Sequence, residues 1–434
     1  MRTRERMRAP ARTGTPPLPD RNDTAHRAVR LTRFAIGAIG LYALAALVLL
    51  PEGSPSITTR LFLGIVIACA VMLAMLVVRA APVWAQGAAS LVLGFTMTAV
   101  AAGVVAKRLA DGVAPVDALG GIAAVMGVML VVLGWQRTLR RIPRRWVRVA
   151  TALVSTLLVG QFVLLPAGIA LDVTNRPRPT GSGRTPADVG LRFEDVRISS
   201  SDGTTLAAWW VPSRNGAAII LLPGSGSTRH AVLDHAALVA RDGYGALLLD
   251  WRGHGRSAGR SMEFGWGADR DVTAAISFVL DQPGVTQGIG ILGLSMGGEV
   301  GLTVAALDHR VGAVVVEGVS ARTWADARLE PDPHPVGYAN EWLTFALVGI
   351  LAPEPPPEPL IDLMPRIEAS VLMISGSPSN ERKLNPIYAD AARDTTTSWT
   401  LPDTPHTQAL RTHPAEYEHR VLTLFQWELL RNDG

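Results

Sequence analysis

The sequence has little lysine and almost no cysteine. Lysine occurs only at Lys107 and Lys383, so the net charge of +4 and the isoelectric point near 9.6 come from arginine. Much of that arginine flanks apolar segments, as in membrane proteins, and forms no run typical of a nucleic-acid surface. We therefore predict no nucleic-acid partner. The single cysteine, Cys69, excludes an intramolecular disulfide.

Charged residues are also absent from five apolar stretches in the first 171 residues. These stretches account for the mean hydropathy of +0.24 and the 48% hydrophobic content. Each approaches the roughly 20 residues that a helix needs to cross the hydrocarbon core. Without internal charges they offer no proton relay or ion pathway, so anchorage is their expected role, with transport or lipid gating as the alternative. The five predicted spans are 34–50, 61–78, 82–106, 118–135 and 149–171.

The basic segments predict how these spans are oriented. Arginine accumulates in the N-terminal arm, 1–33, and in the segment 136–148, and cationic segments stay in the cytoplasm. Four predicted spans separate the two segments, so both can lie on the same side. The fifth span then carries the remaining chain out of the cytoplasm. We expect an integral protein of the cell membrane, in contact with the lipid bilayer, whose N-terminus is cytoplasmic and whose C-terminal half is extracytoplasmic. If one of the five stretches does not span the membrane, the C-terminal half lies on the cytoplasmic side instead.

The second half of the chain has the pattern of an α/β domain. Residues 172–190 are rich in Pro, Gly, Thr and Arg, which is typical of a solvated linker. From residue 191 to 434, short β-type runs alternate with helical patterns and predict a mostly parallel sheet with helices on both faces. The predicted strands are 193–198 and 206–211, joined as a hairpin, then 217–222, 246–249, 289–292, 311–316, 371–374 and 398–401.

An insertion at 321–369 is long enough to form a cap over an active site. Its apolar run, 342–351, is too short to span a bilayer. Three roles remain open for this run: lining an acyl or other apolar pocket, resting on the membrane surface, or packing on the core.

The most informative stretch is the sequence GLSMG at 293–297. It follows an apolar run that predicts a strand and precedes residues that can continue as a helix, so it has the context of a G-x-S-x-G nucleophile elbow. Glycines beside the serine let strand and helix approach closely enough to expose its hydroxyl on a strained turn. Ser295 is therefore the candidate nucleophile. The alternative is a purely structural turn.

Three further segments accompany the elbow: LLPGSG at 221–226, DWRGHGRS at 250–257 and PDTPHT at 402–407. In this order and spacing, the chain from Phe193 onward resembles the α/β-hydrolase superfamily. The resemblance implies a serine hydrolase that cleaves a carboxylester, lipid or thioester bond of a small-molecule or lipid substrate, without a cofactor. Asp250, Arg252 and His254 are interpreted as residues that set a turn.

The resemblance also implies roles for individual residues. Ser295 would attack a carbonyl carbon, while His406 removes its proton and later protonates the leaving group. His413 is the rival base, but it lies at the mouth of the final helix, where a surface histidine is the simpler interpretation.

The oxyanion would be held by the backbone N–H groups of Met296 and Ser225. Pro223 stands where the family usually has a histidine. Because both donors belong to the backbone, this departure does not remove the oxyanion hole.

The acid of the triad is less clear, because serine stands where the family usually has an aspartate after the penultimate strand. Glu381 is the nearest carboxylate. Glu317 ends the preceding buried strand, a second place for the acid in this superfamily, and a carboxylate there needs a partner. The sequence favours Glu317 over Glu381. As structural alternatives, Glu317 would bond backbone amides and Glu381 would be solvated near a helix start.

Two other functions remain open. One is a serine peptidase of the same fold, resembling the aminopeptidase branch. The other is a membrane sensor or scaffold that keeps the fold without turnover, an interpretation favoured only by Pro223 and the unclear acid. His230 and His235 are five residues apart and lack the H-E-x-x-H pattern, so we expect no metal site.

Overall fold

The computed structural model of the protein describes residues 86–88, 90–91, 94–95, 116–139, 144–176, 178–181 and 183–430. The predicted arm and the first two predicted spans lie outside the described residues, and the third is described only in part. The chain divides into two compact units, 1–159 and 160–434.

Helices occupy the described parts of the fourth and fifth predicted spans. Helix α1, Val116–Thr138, contains the fourth. Helix α2, Arg145–Val159, passes through a π-helical turn, Gly160–Leu164, into α3, Leu165–Asn175. Within the described residues, only this continuous helix of 31 residues, Arg145–Asn175, is long and apolar enough to cross a membrane. Only 6% of its most apolar window is buried, unlike the core helix of a soluble domain.

The second unit contains an eight-stranded sheet in the order β1-β2-β4-β3-β5-β6-β7-β8. Strand β1 pairs antiparallel with β2, and β2 with β4, whereas all later pairs are parallel. This confirms the predicted hairpin and the mostly parallel sheet. The strands are β1 Glu194–Ser199, β2 Thr205–Val211, β3 Ala218–Leu222, β4 Gly245–Leu249, β5 Ile289–Leu294, β6 Val311–Glu317, β7 Ser370–Ser375 and β8 Thr396–Thr400.

Helices cover both faces of this sheet, which explains why the central strands are apolar throughout. All residues of β3, β4 and β5 are buried. Successive side chains of β3 belong to opposite cores: Ile220 packs with Val272 and Val300 on one face, and Ile219 packs with Leu238 and Phe425 on the other. The covering helices are α4 Leu233–Arg241, α5 Asp269–Leu280, α6 Met296–Leu307 and, after the insertion described next, α12 Pro414–Leu429.

The insertion between β6 and β7 is helical. Its apolar run, 342–351, packs on the core through Phe345 and Val348, in a cluster that includes residues of α3. Trp342 and Ile350 of the same run are exposed, at 51% and 77%. One face of this helix is therefore a core face and the other is open. The insertion consists of α7 Trp324–Ala327, α8 Pro335–Leu351 and α9 Leu360–Leu363, and the last part of the chain adds α10 Ser379–Ala391 and α11 Ala409–Thr412.

The segment 172–190, predicted as a solvated linker, is exposed or half-buried at most of its described positions and is attached to the rest of the second unit at a few of them. The Gly255 N–H donates to the Pro179 carbonyl at 2.9 Å, and the Arg178 guanidinium donates to the Ser257 carbonyl. A 3-10 turn, Pro186–Val189, follows. These hydrogen bonds attach the segment to the rest of the unit while leaving most of its side chains accessible to solvent.

Candidate active site

Ser295 lies at the tight turn between β5 and α6, with a φ of 51°. A Cβ on Gly293 would lie 2.3 Å from the Gly297 carbonyl oxygen, and one on Gly297 would lie 2.3 Å from the Leu222 carbonyl oxygen. Neither position therefore tolerates a side chain, which is why glycine flanks the serine. The Ser295 N–H donates to the Glu317 carbonyl at 2.7 Å and ties the elbow to β6.

His406 lies in the loop after β8, beside a buried carboxylate. Its Nδ1 is 2.5 Å from Oε1 of Glu381, whose Oε2 accepts the Gly376 N–H at 2.7 Å. The Glu381 contact raises the pKa of His406 against the opposing effect of burial. A carboxylate at Nδ1 favours the tautomer that carries its proton there, and this leaves Nε2 free as a base.

Glu317 ends β6 and makes a different contact. Its Oε1 accepts the Ala409 N–H at 2.7 Å, and its Oε2 has no hydrogen-bond partner among the described residues. Burial raises the pKa of Glu317 to about 7. The structure therefore reverses the sequence-based preference: Glu381, not Glu317, contacts His406. Glu317 is the last residue of β6, whereas Glu381 lies in the first turn of α10, which begins after the short loop that follows β7.

Ser295 and His406 face one cavity of about 520 Å³. No hydrogen bond joins them within the part of the chain that the structure describes. Catalytic hydrogen bonds of this kind often tighten only in the substrate complex. The cavity is also lined by Gly224, Ser225, Ser227, Ala231, Asp234, His235, Leu294, Thr407, Gln408, Leu410 and Arg411. No residue of the insertion lines it, so the apolar run of α8 does not form this pocket.

Of the two predicted oxyanion donors, Ser225 lines this cavity, and Met296 directly follows the cavity-lining Ser295 in the chain. Met296 is the first residue of α6, where a backbone N–H has no acceptor one turn earlier. Ser225 lies in the turn after β3, which is closed by the Ser227 N–H donating to the Gly224 carbonyl at 3.3 Å. Trp251 Nε1 donates to the carbonyl of Pro223 at 2.8 Å. Because this hydrogen bond uses the backbone carbonyl of Pro223, the position of the loop does not depend on the histidine side chain that the family usually has there.

The motif at 250–257 has the predicted structural contacts. The carboxylate of Asp250 accepts the N–H groups of Arg229 at 2.9 Å and Arg256 at 3.0 Å. Arg252 pairs with Asp271 at 2.5 Å. These contacts fix the turn beside residues 223–226, which follow β3, include Ser225 and are called the oxyanion loop below.

His413, the rival base, lies elsewhere. Its Nδ1 is 2.9 Å from Thr412 Oγ1, and its ring lies 6.2 Å from that of Trp399. It does not line the cavity that contains Ser295.

Two buried carboxylates near the site have no sequence signal. Glu299, on α6 behind the nucleophile, accepts from the N–H of Ser320 at 3.0 Å and from its hydroxyl at 2.7 Å. Glu263 accepts from the Ser225 hydroxyl at 2.5 Å. Neither lies in a recognisable motif, because their partners are distant in sequence.

Comparison with known proteins agrees with this fold. A model described as "Alpha/beta hydrolase family" matches residues 219–431. The chain is 34% identical over 137 residues to the polyketide transferase grgF of a Penicillium species, covering 29% of this chain and 44% of that protein. It is 28% identical over 180 residues to the α/β hydrolase domain-containing protein WAV2 of Arabidopsis thaliana, covering 38% of this chain and 58% of that protein. The chain thus spans about half the length of these curated relatives.

Among solved structures, an esterase of Pyrococcus furiosus is similar, with a TM-score of 0.49 and 21% identity over 59% of this chain and 98% of the esterase. The eight-stranded sheet, the elbow at Ser295 and the matched family model lead to one assignment: the C-terminal part of this chain, residues 219–431, belongs to the α/β hydrolase family.

Proposed function

We propose that the protein is a membrane-anchored serine hydrolase that cleaves an ester-type bond through an acyl-enzyme at Ser295. One observation supports the proposal: Ser295 and His406 line the same cavity, together with Ser225, and His406 is paired with Glu381. A nucleophile, a base and an orienting carboxylate are the parts that acyl transfer requires.

The reaction follows from these positions. His406 Nε2 takes the proton of Ser295 as Oγ attacks the carbonyl carbon, and the N–H groups of Met296 and Ser225 bind the oxyanion. Collapse of the tetrahedral intermediate expels the alcohol or thiol, which takes the proton from His406. Water then enters, gives its proton to the same nitrogen and attacks the acyl carbon. The carboxylic acid leaves as the proton returns to Ser295. Glu381 stabilises the imidazolium in both halves.

A panel of chromogenic substrates tests this function. We expect turnover of p-nitrophenyl esters or of an acyl thioester by the detergent-solubilised protein, and little turnover of an aminoacyl p-nitroanilide. Preferential cleavage of the anilide would assign the protein to the peptidases. A folded protein that turns over none of the substrates would contradict the proposal and favour a non-catalytic sensor or scaffold.

The pH dependence of this activity is set by His406, which must be neutral to accept a proton. Because Glu381 raises the pKa of His406 above its ordinary 6.5, kcat/KM should increase with pH and level off, with its midpoint above 6.5. A pH–rate profile at constant ionic strength measures this midpoint. A midpoint near 4, as for an isolated carboxylate, would show that a different group limits the rate.

Anchorage in the bilayer is part of the same proposal. The helix Arg145–Asn175 supports it by length, apolar composition and low burial. Arginine next to the predicted spans favours a cytoplasmic N-terminus and an extracytoplasmic hydrolase domain. The proposed partners are thus the lipid bilayer and a small-molecule or lipid ester.

Cysteine labelling tests that orientation. In a Cys69→Ser background, Arg393→Cys places a thiol on an exposed surface of the hydrolase domain. A membrane-impermeant maleimide added to intact cells should label it. Arg144→Cys, at an exposed position before α2, is the matched control and should be labelled only after the membrane is permeabilised. The reverse pattern would invert the topology.

A further inference from the structure

Glu263 is a buried carboxylate that takes no part in the proposed triad but contacts the oxyanion loop. Its side chain is almost wholly inaccessible, at 3% exposure. Oε2 accepts from the hydroxyl of Ser225 at 2.5 Å, and Oε1 accepts from the hydroxyl of Ser261 at 2.6 Å. Ser225, whose backbone N–H is a proposed oxyanion donor, is thus held in place through its own side-chain hydroxyl.

Two cationic or ionisable groups face this carboxylate. Arg176 Nη1 lies 3.5 Å from Oε2, and His254 Nε2 lies 3.2 Å from Oε1. Arg176 Nη2 also pairs with the exposed carboxylate of Asp172, so its charge is shared between the two carboxylates. Burial raises the pKa of Glu263, but the contacts of His254 and the two serine hydroxyls outweigh it and hold the pKa at about 2. Glu263 is therefore ionised at neutral pH.

The end of helix α3 also contacts the backbone of Glu263. The Glu263 N–H donates to the carbonyl of Val173 at 3.0 Å, three residues before Arg176. Helix α3 is the last part of the apolar helix Arg145–Asn175. The last turn of α3 and the residue after it therefore contact Glu263, through the Val173 carbonyl and the Arg176 guanidinium.

We propose that Glu263 is a positioning residue: its carboxylate fixes the turn that presents the Ser225 N–H to the oxyanion, and Arg176 at the end of α3 neutralises its charge. This inference rests on the proposed hydrolase function. It makes the C-terminal end of α3 a structural support of the oxyanion hole.

The charge of Glu263 explains why Arg176 is needed. An ionised carboxylate beside an oxyanion loop raises the energy of the developing negative charge unless a cation offsets it. Removing Arg176 should therefore slow the reaction while Glu263 is ionised, and should have little effect once Glu263 is replaced by an uncharged glutamine. A merely structural role of Arg176 would not depend on the charge at position 263.

Four variants test the first half of the proposal. Glu263→Ala, Ser225→Ala and the double variant should each lower kcat by about ten- to a hundredfold, with KM changed little, because the oxyanion forms only in the transition state. The double variant should be no slower than the slower single variant, since both remove one interaction. Glu263→Gln, which keeps an acceptor for the Ser225 hydroxyl, should recover most of the rate.

The second half is tested by Arg176→Ala, alone and with Glu263→Gln. We expect a loss of about tenfold alone, corresponding to one charge interaction in a partly buried site, and a loss of less than about twofold in the Glu263→Gln background. Arg393→Ala is the matched control, because Arg393 lies on the surface and its described partner is Asp390. It should keep the wild-type rate.

Labelling by a fluorophosphonate separates this proposal from the hydrolase proposal. Labelling of wild type that is lost in Ser295→Ala establishes the nucleophile, and its absence in folded wild type contradicts the proposed function itself. With labelling established, wild-type rates in both Glu263→Ala and Ser225→Ala, or strictly additive losses, would overturn the positioning role. If Glu263→Ala does not fold, Ser225→Ala and the Arg176→Ala pair decide.

Discussion

Ser295→Ala is expected to lower kcat for ester hydrolysis by at least about 10³-fold, because removing the nucleophile leaves only the oxyanion hole and substrate binding to accelerate attack by water. The elbow itself should persist. Its conformation depends on the close approach of Gly293 and Gly297 to neighbouring backbone, and not on the serine hydroxyl.

Stopped assays of the purified variant with the best ester of the panel measure this loss, and a thermal melt confirms that the variant is folded. Ser398→Ala, at an exposed position on β8, is the matched control and should keep the wild-type rate. If Ser295→Ala retained more than about a tenth of the wild-type rate, Ser295 would not be the nucleophile.

Glu381→Gln should have the second largest effect, a fall in kcat of about 10²- to 10⁴-fold. An amide at this position no longer stabilises the imidazolium of His406 and disturbs the proton on Nδ1. The acid limb of the pH profile should also move to lower pH, since the contact that raises the pKa of His406 is lost.

Glu317→Gln is the matched control for that variant. Its amide oxygen can still accept the Ala409 N–H, so the rate should stay within about threefold of wild type. Burial raises the pKa of Glu317 to about 7, so the folded protein holds a proton that the unfolded chain has released. Stability should therefore decrease as the pH rises from about 4.5 to 7 in wild type, and less in Glu317→Gln. A large loss of rate in Glu317→Gln with none in Glu381→Gln would assign the acid to Glu317.

Much of the hydrolase domain is readable from the sequence because its signals are local. The buried strands are continuous apolar runs, and the elbow combines a strand, two glycines and a helix within a dozen residues. Such patterns fix element order and the edge of the sheet where the site lies. Ser295, His406 and the two proposed oxyanion residues are predicted from such patterns.

The sequence does not predict the contacts between segments that are far apart in the chain. Sequence position put Glu317 and Glu381 at adjacent strand ends, but only the path of the loop after β7 decides which carboxylate reaches His406. Glu263 meets Ser225 across 38 residues of sequence separation and has no motif of its own. The linker likewise finds partners that its composition does not reveal.

Mass spectrometry of the protein after reaction with a fluorophosphonate tests the central claim most directly. The reagent phosphonylates a serine only where a base and an oxyanion hole activate it. We expect one adduct per chain, on the peptide that contains Ser295, and none after Glu381→Gln over the same reaction time. An adduct on another residue, or no adduct on folded wild-type protein, would contradict the assignment of Ser295 as an activated nucleophile.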